Sequence, residues 1–506
     1  MVEIAITTDR SMMTNHWGKE FLGFGTTGPP IIMPEWLWLF TFAPKMKSDS
    51  KGRPWQAPYG MRKIEAKLIE EGYDASIIVP WKLKKHKDKI KVLLISHHDY
   101  FGMCPPSSTF ASIFKTETVN ARSFKKFITS DIIKYLKARG VKIIAGGPAA
   151  WCWKYREEER KTWGIDCVVD GEGENIVGEL VEKALKNEEL PWYIEMPPKD
   201  APKLDEIPEI KYPSVNGLVE VMRGCPRGCS FCSVTLRPLR FYPYEKIEKE
   251  ILVNVRAGLT EGIIHSEDVL LYGAKGIIPQ ERPLIKLHKL FKKHYKIIAW
   301  AHASIAAIVK AQRDYKLMTK LSEIILDDNQ EWWGAEIGIE TGSVELAKKI
   351  MPAKMKPFQA EEWPEIVLEA AAIMEEVNLI PAMTLIVGLP GETEDDVIKT
   401  LELVDELWDF KGIIMPMFFV PMGLLHNRDW FRAYKVTDAH KELLCKCLSH
   451  GVRQAKRILP EYLKGKWYRP ILHPLIRYFV EKVRVKAEEK GYWCDKGVRK
   501  FLRPTG

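Results

Sequence analysis

The chain has 506 residues, of which 46% are apolar and 28% charged, with a formal net charge of +9. That length exceeds what one core supports, so two or three domains are expected, and the composition excludes a disordered chain. No apolar run reaches the ~18 uninterrupted residues of a membrane span, and nine cysteines without a signal peptide are expected in a reducing, cytoplasmic compartment, where thiols serve metals and not disulfides.

Lysines and arginines are spread along the sequence. This suits anionic small molecules or the inner face of a membrane, with peripheral contact, and gives no expectation of nucleic acid. Residues 1–54 are rich in Gly, Pro and aromatics, as in NHWGKEFLGFG and MPEWLWLF, and read as an ordered arm packed over the main domains. Seventeen tryptophans and seventeen methionines, many outside plain core patterns, suit a greasy ligand or a bilayer interface.

From residue 55 to about 200, helical and strand patterns alternate. YGMRKIEAKLIEEGY has helical spacing, ASIIVP and KVLLIS read as strands, SFKKFITSDIIKYLKARG as an amphipathic helix, and VKIIAGGP and IDCVVDGEGE as strands ending in glycine turns. The expectation is a doubly wound parallel sheet with its ligand at the strands' carboxyl ends. The order of elements resembles a cobalamin-binding domain. The resemblance makes Gly146, Gly147, Gly171, Glu172 and Gly173 the candidate cofactor turn residues. The Asp-x-His-x-x-Gly motif that supplies a histidine to cobalt is absent, because His97 and His98 precede Asp99, so cobalamin is an open expectation and these histidines read as loop residues. Cys104 reads as a small buried residue.

DEIPEIKYPS is the expected linker, followed at about residue 215 by the strand LVEVMRGC. Cys225, Cys229 and Cys232 then stand as Cys-x3-Cys-x2-Cys in RGCPRGCSFC. Three thiolates in eight residues suit a four-iron cluster with one open iron. Structural zinc would need a fourth ligand, and no Cys or His lies within thirty residues on either side. This motif resembles that of the radical S-adenosylmethionine (SAM) enzymes, with Phe231 in the aromatic place before the last cysteine. The resemblance implies a [4Fe–4S] cluster, SAM and an external, ferredoxin-like electron donor. SAM would be cleaved to a 5′-deoxyadenosyl radical that abstracts hydrogen from an unactivated carbon.

Six strands with helices between them run to about residue 425, which predicts a partial (β/α)6 barrel with function at the carboxyl ends of its strands. By the same resemblance, Glu267 or Asp268 contacts the SAM amino group, although Asp268 also suits a helix cap. Ser304 reaches the ribose, with His302 beside it. Glu340, Thr341 and Ser343 meet the methionine or ribose part, and Gly388, Leu389 and Gly391 pass the adenine. Thr393 with Asp396 reads as a helix cap. Residues 426–506 read as helical, with Cys445, Cys447, Cys494 and His450 as a candidate auxiliary metal site, against which Cys-x-Cys on one helix argues.

The strings RGCPRGCSFC, SEDVLLYG, GIETGS and TLIVGLPGETEDDV resemble the branch that modifies archaeal membrane lipids, the tetraether ring synthases and tetraether synthases. The resemblance implies carbon–carbon bond formation in the isoprenoid chains of an ether lipid. A cobalamin-dependent radical methylase and a non-catalytic SAM or cobalamin sensor are the alternatives. The lipid reading expects a long apolar cavity walled by Trp36, Trp38, Trp332 and Trp333, with the basic residues of KGKWYR at its entrance.

Overall fold

In the computed structural model, which describes residues 2–425, 430–431 and 435–502, two α/β units are joined and flanked by helices. The first is a six-stranded sheet, all parallel, with the order β2–β1–β3–β4–β5–β6. Its strands are β1 (Ile4–Thr7), β2 (Ala75–Ile77), β3 (Val92–Ser96), β4 (Lys142–Gly146), β5 (Cys167–Asp170) and β6 (Tyr193–Glu195). Alternate residues feed two cores: Ala5, Leu93, Ile95, Ile143 and Val168 on one face, and Ile4, Ile6, Leu94, Ile144 and Val169 on the other.

The order corrects the expected boundary at residue 55. β1 lies in the sheet between β2 and β3, so the aromatic-rich segment is an insertion between the first strand and the helix Tyr59–Glu70. A four-residue strand buried on both faces carries no alternation that would have revealed it. The inserted segment packs on the C-terminal helices Asp438–Tyr462 and Arg469–Glu489, with Leu22, Trp38, Leu39 and Phe42 against Val452, Leu472, Ile476 and Val480.

The second unit comprises β7 (Leu218–Glu220), the antiparallel pair β8 (Met222–Arg223) and β9 (Arg240–Phe241), then β10 (Glu261–His265), β11 (Ile297–Trp300), β12 (His302–Ser304), β13 (Trp333–Glu340), β14 (Leu379–Val387) and β15 (Ile413–Phe418). β11 and β12 are one strand position interrupted at Ala301, whose N–H donates to Ile264 and whose carbonyl accepts from Glu336, both at 2.9 Å. The result is six parallel strand positions, the expected partial barrel.

Burial within this barrel runs opposite to an ordinary one. On β10, β11 and β13 the residues that face the surrounding helices, Ile264, Ile298, Trp333, Ala335 and Ile337, are buried. The inward ones, Ile263, Ala299, Gly334 and Glu336, retain solvent contact. β15 continues this with Ile413, Met415 and Met417. A barrel interior is normally filled by layers of branched side chains. Here register pairs Ile263 with Ala299 and Gly334 with Ile380, so small residues stand among inward positions that keep solvent contact.

Candidate active site

Cys225, Cys229 and Cys232 lie on the loop that follows β7 and β8, at the carboxyl end of the barrel. Gly224 (φ +81°) lets the backbone pass 2.6 Å from the carbonyl oxygen of Pro238, measured from where a Cβ would stand, a conformation and approach open only to glycine. Burial pushes the thiol of Cys225 up to about 11 and that of Cys229 to about 12, and raises Cys232 as well. Backbone N–H groups oppose this, from Arg227 to Cys225 and from Val234 and Thr235 to Cys232. Each thiol is also electrostatically coupled to at least one of the other two. Three converging sulfurs with amide donors aimed at them fit a cluster that stabilises thiolates.

A ring of charge surrounds the loop. Ser304 Oγ donates to Asp268 Oδ2 at 2.5 Å, and Arg227 Nε approaches the same oxygen at 3.4 Å. Arg227 also donates to the carbonyl of Lys354 at 3.0 Å. Glu340, at φ +66°, forms a buried ion pair with Lys354. Burial alone would lower the Lys354 ammonium, but the Glu340 carboxylate more than offsets it. His302 lies 3.4 Å from Glu336 and contacts the carbonyl of Ser266. Burial would lower its imidazole, but Glu336, Glu267 and that carbonyl together raise it to about 9. Four buried polar atoms at this end have no hydrogen-bond partner among the described residues: Asp268 Oδ1, Ser266 Oγ, Arg227 Nη2 and His265 Nδ1. Buried polar groups are nearly always paired. These orphans therefore fit a polar ligand such as the amino-acid end of SAM.

Glu267, Asp268, Ser304 and Glu340 thus gather around the cysteine loop, and the structure removes the helix-cap role for Asp268, whose side chain caps nothing. Other candidates turn away. Thr341 pairs with Thr400 Oγ1 at 3.1 Å, its carbonyl accepting from Trp363. Ser343 caps the helix Val344–Ile350 and donates to Asp396. The strand has bulged between Gly338 and Glu340, so the residues after it point to the next helix and not to the mouth. Leu389 is buried in the barrel core. Gly388 (φ +80°) has the ring of Phe431 where a side chain would stand, while Gly391 (φ +81°) faces open space. Thr393 and Asp396 form a capping box, as expected. Arg227, Lys354 and Phe431 were not anticipated. For Arg227 the signal was present, in a basic residue set between the cysteines of RGCPRGC.

At the glycine turns of the doubly wound sheet, Gly147 and Gly171 are packed closely against neighbouring chain, while Gly171 and Glu172 also line a cleft. A side chain at Gly147 (φ +89°) would strike Ser96 Oγ, and one at Gly171 (φ +126°) would lie 2.7 Å from Met196 Cβ. The Gly146 carbonyl accepts from Tyr100 at 2.6 Å. Gly173 has its nearest neighbour, Val169, at 3.6 Å. Glu172 is an interdomain anchor, bound by Arg240 at 2.6 Å and Arg223 at 2.7 Å, and Arg223 also reaches Glu174 and Glu220. The remaining space here is a small open cleft of about 30 Å³ bounded by Asp170–Glu172, Met196–Pro198, Ser233, Arg237 and Gly423. His97 is buried and bonded to Asp9 at 2.9 Å. His98 is exposed to solvent, and its partial desolvation, then nearby His97, His16 and His265, lower its imidazole.

The expected tryptophan walls are elsewhere. Trp333 is buried against Trp300, and Trp38 packs on Phe42 and Phe479. Trp332, half-buried at the lower end of the lumen, faces the Lys19 ammonium. KGKWYR lies at the barrel's lower end, opposite the cysteines, with Lys466 paired to Glu261 and Lys464 to Glu331. The expected auxiliary metal site is replaced by a disulfide: Cys445 is bonded to Cys494, Cys447 is a free buried thiol, and His450 rests on Trp408. The helical period separates Cys445 from Cys447 and turns them to different partners.

Residues 219–404 match the family described as the Radical SAM superfamily. Among curated proteins, the chain is 23% identical over 383 residues to tRNA-2-methylthio-N(6)-dimethylallyladenosine synthase of Leptothrix cholodnii, covering 72% of this chain and 76% of the relative. It is 27% identical over 210 residues to the protein of that name in Orientia tsutsugamushi, covering 41% and 44%. Among solved structures, the radical S-adenosylmethionine methyltransferase TsrM of Kitasatospora setae, with tryptophan and a SAM analog bound, superposes with a TM-score of 0.53 at 12% identity, covering 84% of this chain and 75% of that one. At this identity the likeness is one of fold. No described helix is long and apolar enough to cross a membrane.

Proposed function

We propose that this chain, whose residues 219–404 match the radical SAM superfamily, is an enzyme using a [4Fe–4S] cluster with SAM that draws a long apolar chain into its barrel and forms a carbon–carbon bond in the isoprenoid chain of an ether lipid. The observation that carries this reading is that the inward residues of the barrel strands retain solvent contact. Among them Ile263, Ala299, Gly334, Ile380, Ile413 and Met415 form an apolar stretch of wall, beside the polar Glu336. Such a wall orients a substrate by enclosure, which suits a saturated chain without polar handles. When bound at Cys225, Cys229 and Cys232, the cluster and SAM supply a 5′-deoxyadenosyl radical, chemistry suited to carbons that acid–base catalysis cannot reach. Around them, Asp268, Ser304 and Arg227 hold the polar end of SAM, and the Glu340–Lys354 pair fixes the loop from below.

A second feature supports a lipid source. At the lumen's lower end Trp36 is 70% exposed and Trp467 77%, with Trp17 between Phe40 and Trp467 at 5.6 and 6.1 Å. Ile471 and Tyr478 extend this exposed face along the last helix, among Arg469, Arg477 and Lys482. Aromatic groups flanked by basic residues suit the headgroup region of an anionic bilayer. A ferredoxin-like donor completes the proposal.

A second reading, radical methylation with cobalamin, is favoured by the likeness of fold to the methyltransferase TsrM across both units. Anaerobic reconstitution with iron, sulfide, SAM and a reductant, with isoprenoid ether lipid as substrate, tests both. Lipid two hydrogens lighter per bond formed, together with 5′-deoxyadenosine, supports coupling. Lipid one methylene heavier supports methylation. Methylthiolation of added tRNA, with lipid unchanged, would overturn the lipid substrate, and SAM that is never cleaved would leave only a sensor.

A further inference from the structure

Asp99 and Cys104 lie on the segment that follows β3, and Cys152 on the short turn Ala150–Tyr155 that follows β4. The three are 4%, 7% and 0% exposed, and one ligand atom from each lies within 4.8 Å of the others. Two sulfurs bound at ~2.3 Å to one tetrahedral ion stand about 3.8 Å apart, so three donors with this spread can close on one ion through small side-chain rotations. Each carboxylate oxygen of Asp99 is steadied by a donor: Oδ1 by the Met103 N–H at 2.8 Å and Oδ2 by Asn120 Nδ2 at 3.3 Å. Asn120 is in turn fixed by Ser107 Oγ at 3.0 Å. Metal-ligating carboxylates are held by outer hydrogen bonds of this kind.

We propose that Asp99, Cys104 and Cys152 bind a zinc ion that pins the segment after β3 to the turn after β4. Two thiolates and a carboxylate select a borderline-soft divalent ion over magnesium or calcium. No fourth Cys, His, Asp or Glu joins the group among the described residues, so one position is left for water. The site is buried in the same core as Trp153 and Tyr100, apart from the barrel chemistry, and with three protein ligands it is an open coordination site. On binding, the ion takes the place of one proton on each thiol. Its mechanical effect falls on the seam between the two units: the Asp99 N–H donates to His97 Nδ1 at 2.8 Å, so the site fixes the loop that presents His97 and His98. The proposal does not depend on the substrate.

The test uses the full-length chain with Cys225, Cys229 and Cys232 replaced by Ala, so that no cluster forms, loaded with zinc alone and measured by plasma mass spectrometry. One zinc per chain is expected, and Cys104→Ser with Cys152→Ser in the same background should remove it. Asp99→Asn preserves the shape of the site and guards against a double variant that fails to fold. It should release zinc to a competing chelator at least about tenfold more readily. Cobalt loaded in place of zinc should give thiolate-to-metal absorption that both variants lose. Absence of zinc from the starting protein, equal zinc in all variants, or a peptide map joining Cys104 to Cys152 as a disulfide would each overturn the assignment.

Discussion

Gly334 and Gly338, four residues apart on the inner side of β13, separate an open lumen from a packed one. At Gly334 a new side chain would meet only the Ile380 carbonyl at 3.6 Å and the Trp332 ring at 3.7 Å, ordinary contacts, with the lumen beyond. At Gly338 it would run into Glu340 Oε1 and Lys354 Nζ, the two ends of the buried pair. Replacing a strand glycine by a β-branched residue in free space stabilises by up to ~1 kcal/mol. Gly334→Val should therefore melt at the wild-type temperature or about 2–4 °C above it. Gly338→Val must push apart a buried ion pair, which costs about 3–5 kcal/mol and should lower melting by roughly 6 °C or more.

The same Gly334→Val change separates function from stability. Its methyl groups enter the lumen beside Ile380, the register partner of Gly334 on β14. A clash of ~1–3 kcal/mol with an enclosed chain would weaken substrate binding about 5- to 160-fold. Scanning fluorimetry gives the melting points. Chromatography of 5′-deoxyadenosine without substrate, beside mass spectrometry of the lipid product, gives the activities. SAM cleavage should survive while product falls. A destabilised Gly334→Val would mean that the lumen is packed, and undiminished product would place the substrate elsewhere.

Replacing Cys225, Cys229 and Cys232 together by Ala should abolish iron content and reductive SAM cleavage while the chain still melts cooperatively. Retained 5′-deoxyadenosine production would remove the cluster assignment. His302 has a folded value raised to about 9, so the stability it lends is fully present below the ordinary value of 6.5 and fades as pH rises through 9. Nitrogen-15 NMR of the imidazole should show titration near 9 in the wild type and lower in Glu336→Gln; titration near 6.5 in both would contradict the pairing. Arg223→Met would leave Glu172, Glu174 and Glu220 as nearly buried carboxylates without this cation, at a cost of about 3–5 kcal/mol. It should speed tryptic cleavage in residues 197–213, and an unchanged rate would deny the network its role in joining the two units. Trp36→Ala with Trp467→Ala should reduce flotation with anionic vesicles without shifting the melting point, whereas equal flotation would exclude this face as the membrane contact.

The alternation of strand and helix was legible because it is local: period-2 and period-3.6 patterns can be read within windows of ten or twenty residues. The six parallel positions of the barrel, the cysteine loop and the Thr393–Asp396 cap follow from such windows. β1 did not, because four buried residues have no pattern of their own and their neighbours in the sheet come from Ala75–Ile77 and Val92–Ser96. The candidates Asp268, Ser304 and Glu340, chosen from strand ends, lie beside the cysteine loop. Thr341 and Ser343 turn away from it, since one bulge before Glu340 reverses which residues face the mouth, and a bulge leaves no mark in composition.

What the sequence determined by itself was the class of fold and the chemistry of three thiols, for both rest on spacing along the chain. Tertiary structure alone decided which charges neutralise one another: Arg223 with Glu172 across 51 residues, Lys354 with Glu340 beside the cluster, and Cys445 with Cys494 in place of a metal. It also decided which residues line the barrel. Each strand shows only that alternate residues are larger or smaller, whereas the pairing of Ile263 with Ala299 and of Gly334 with Ile380 depends on the register between strands. Register is set by hydrogen bonds between segments far apart in the chain, and no local pattern carries it.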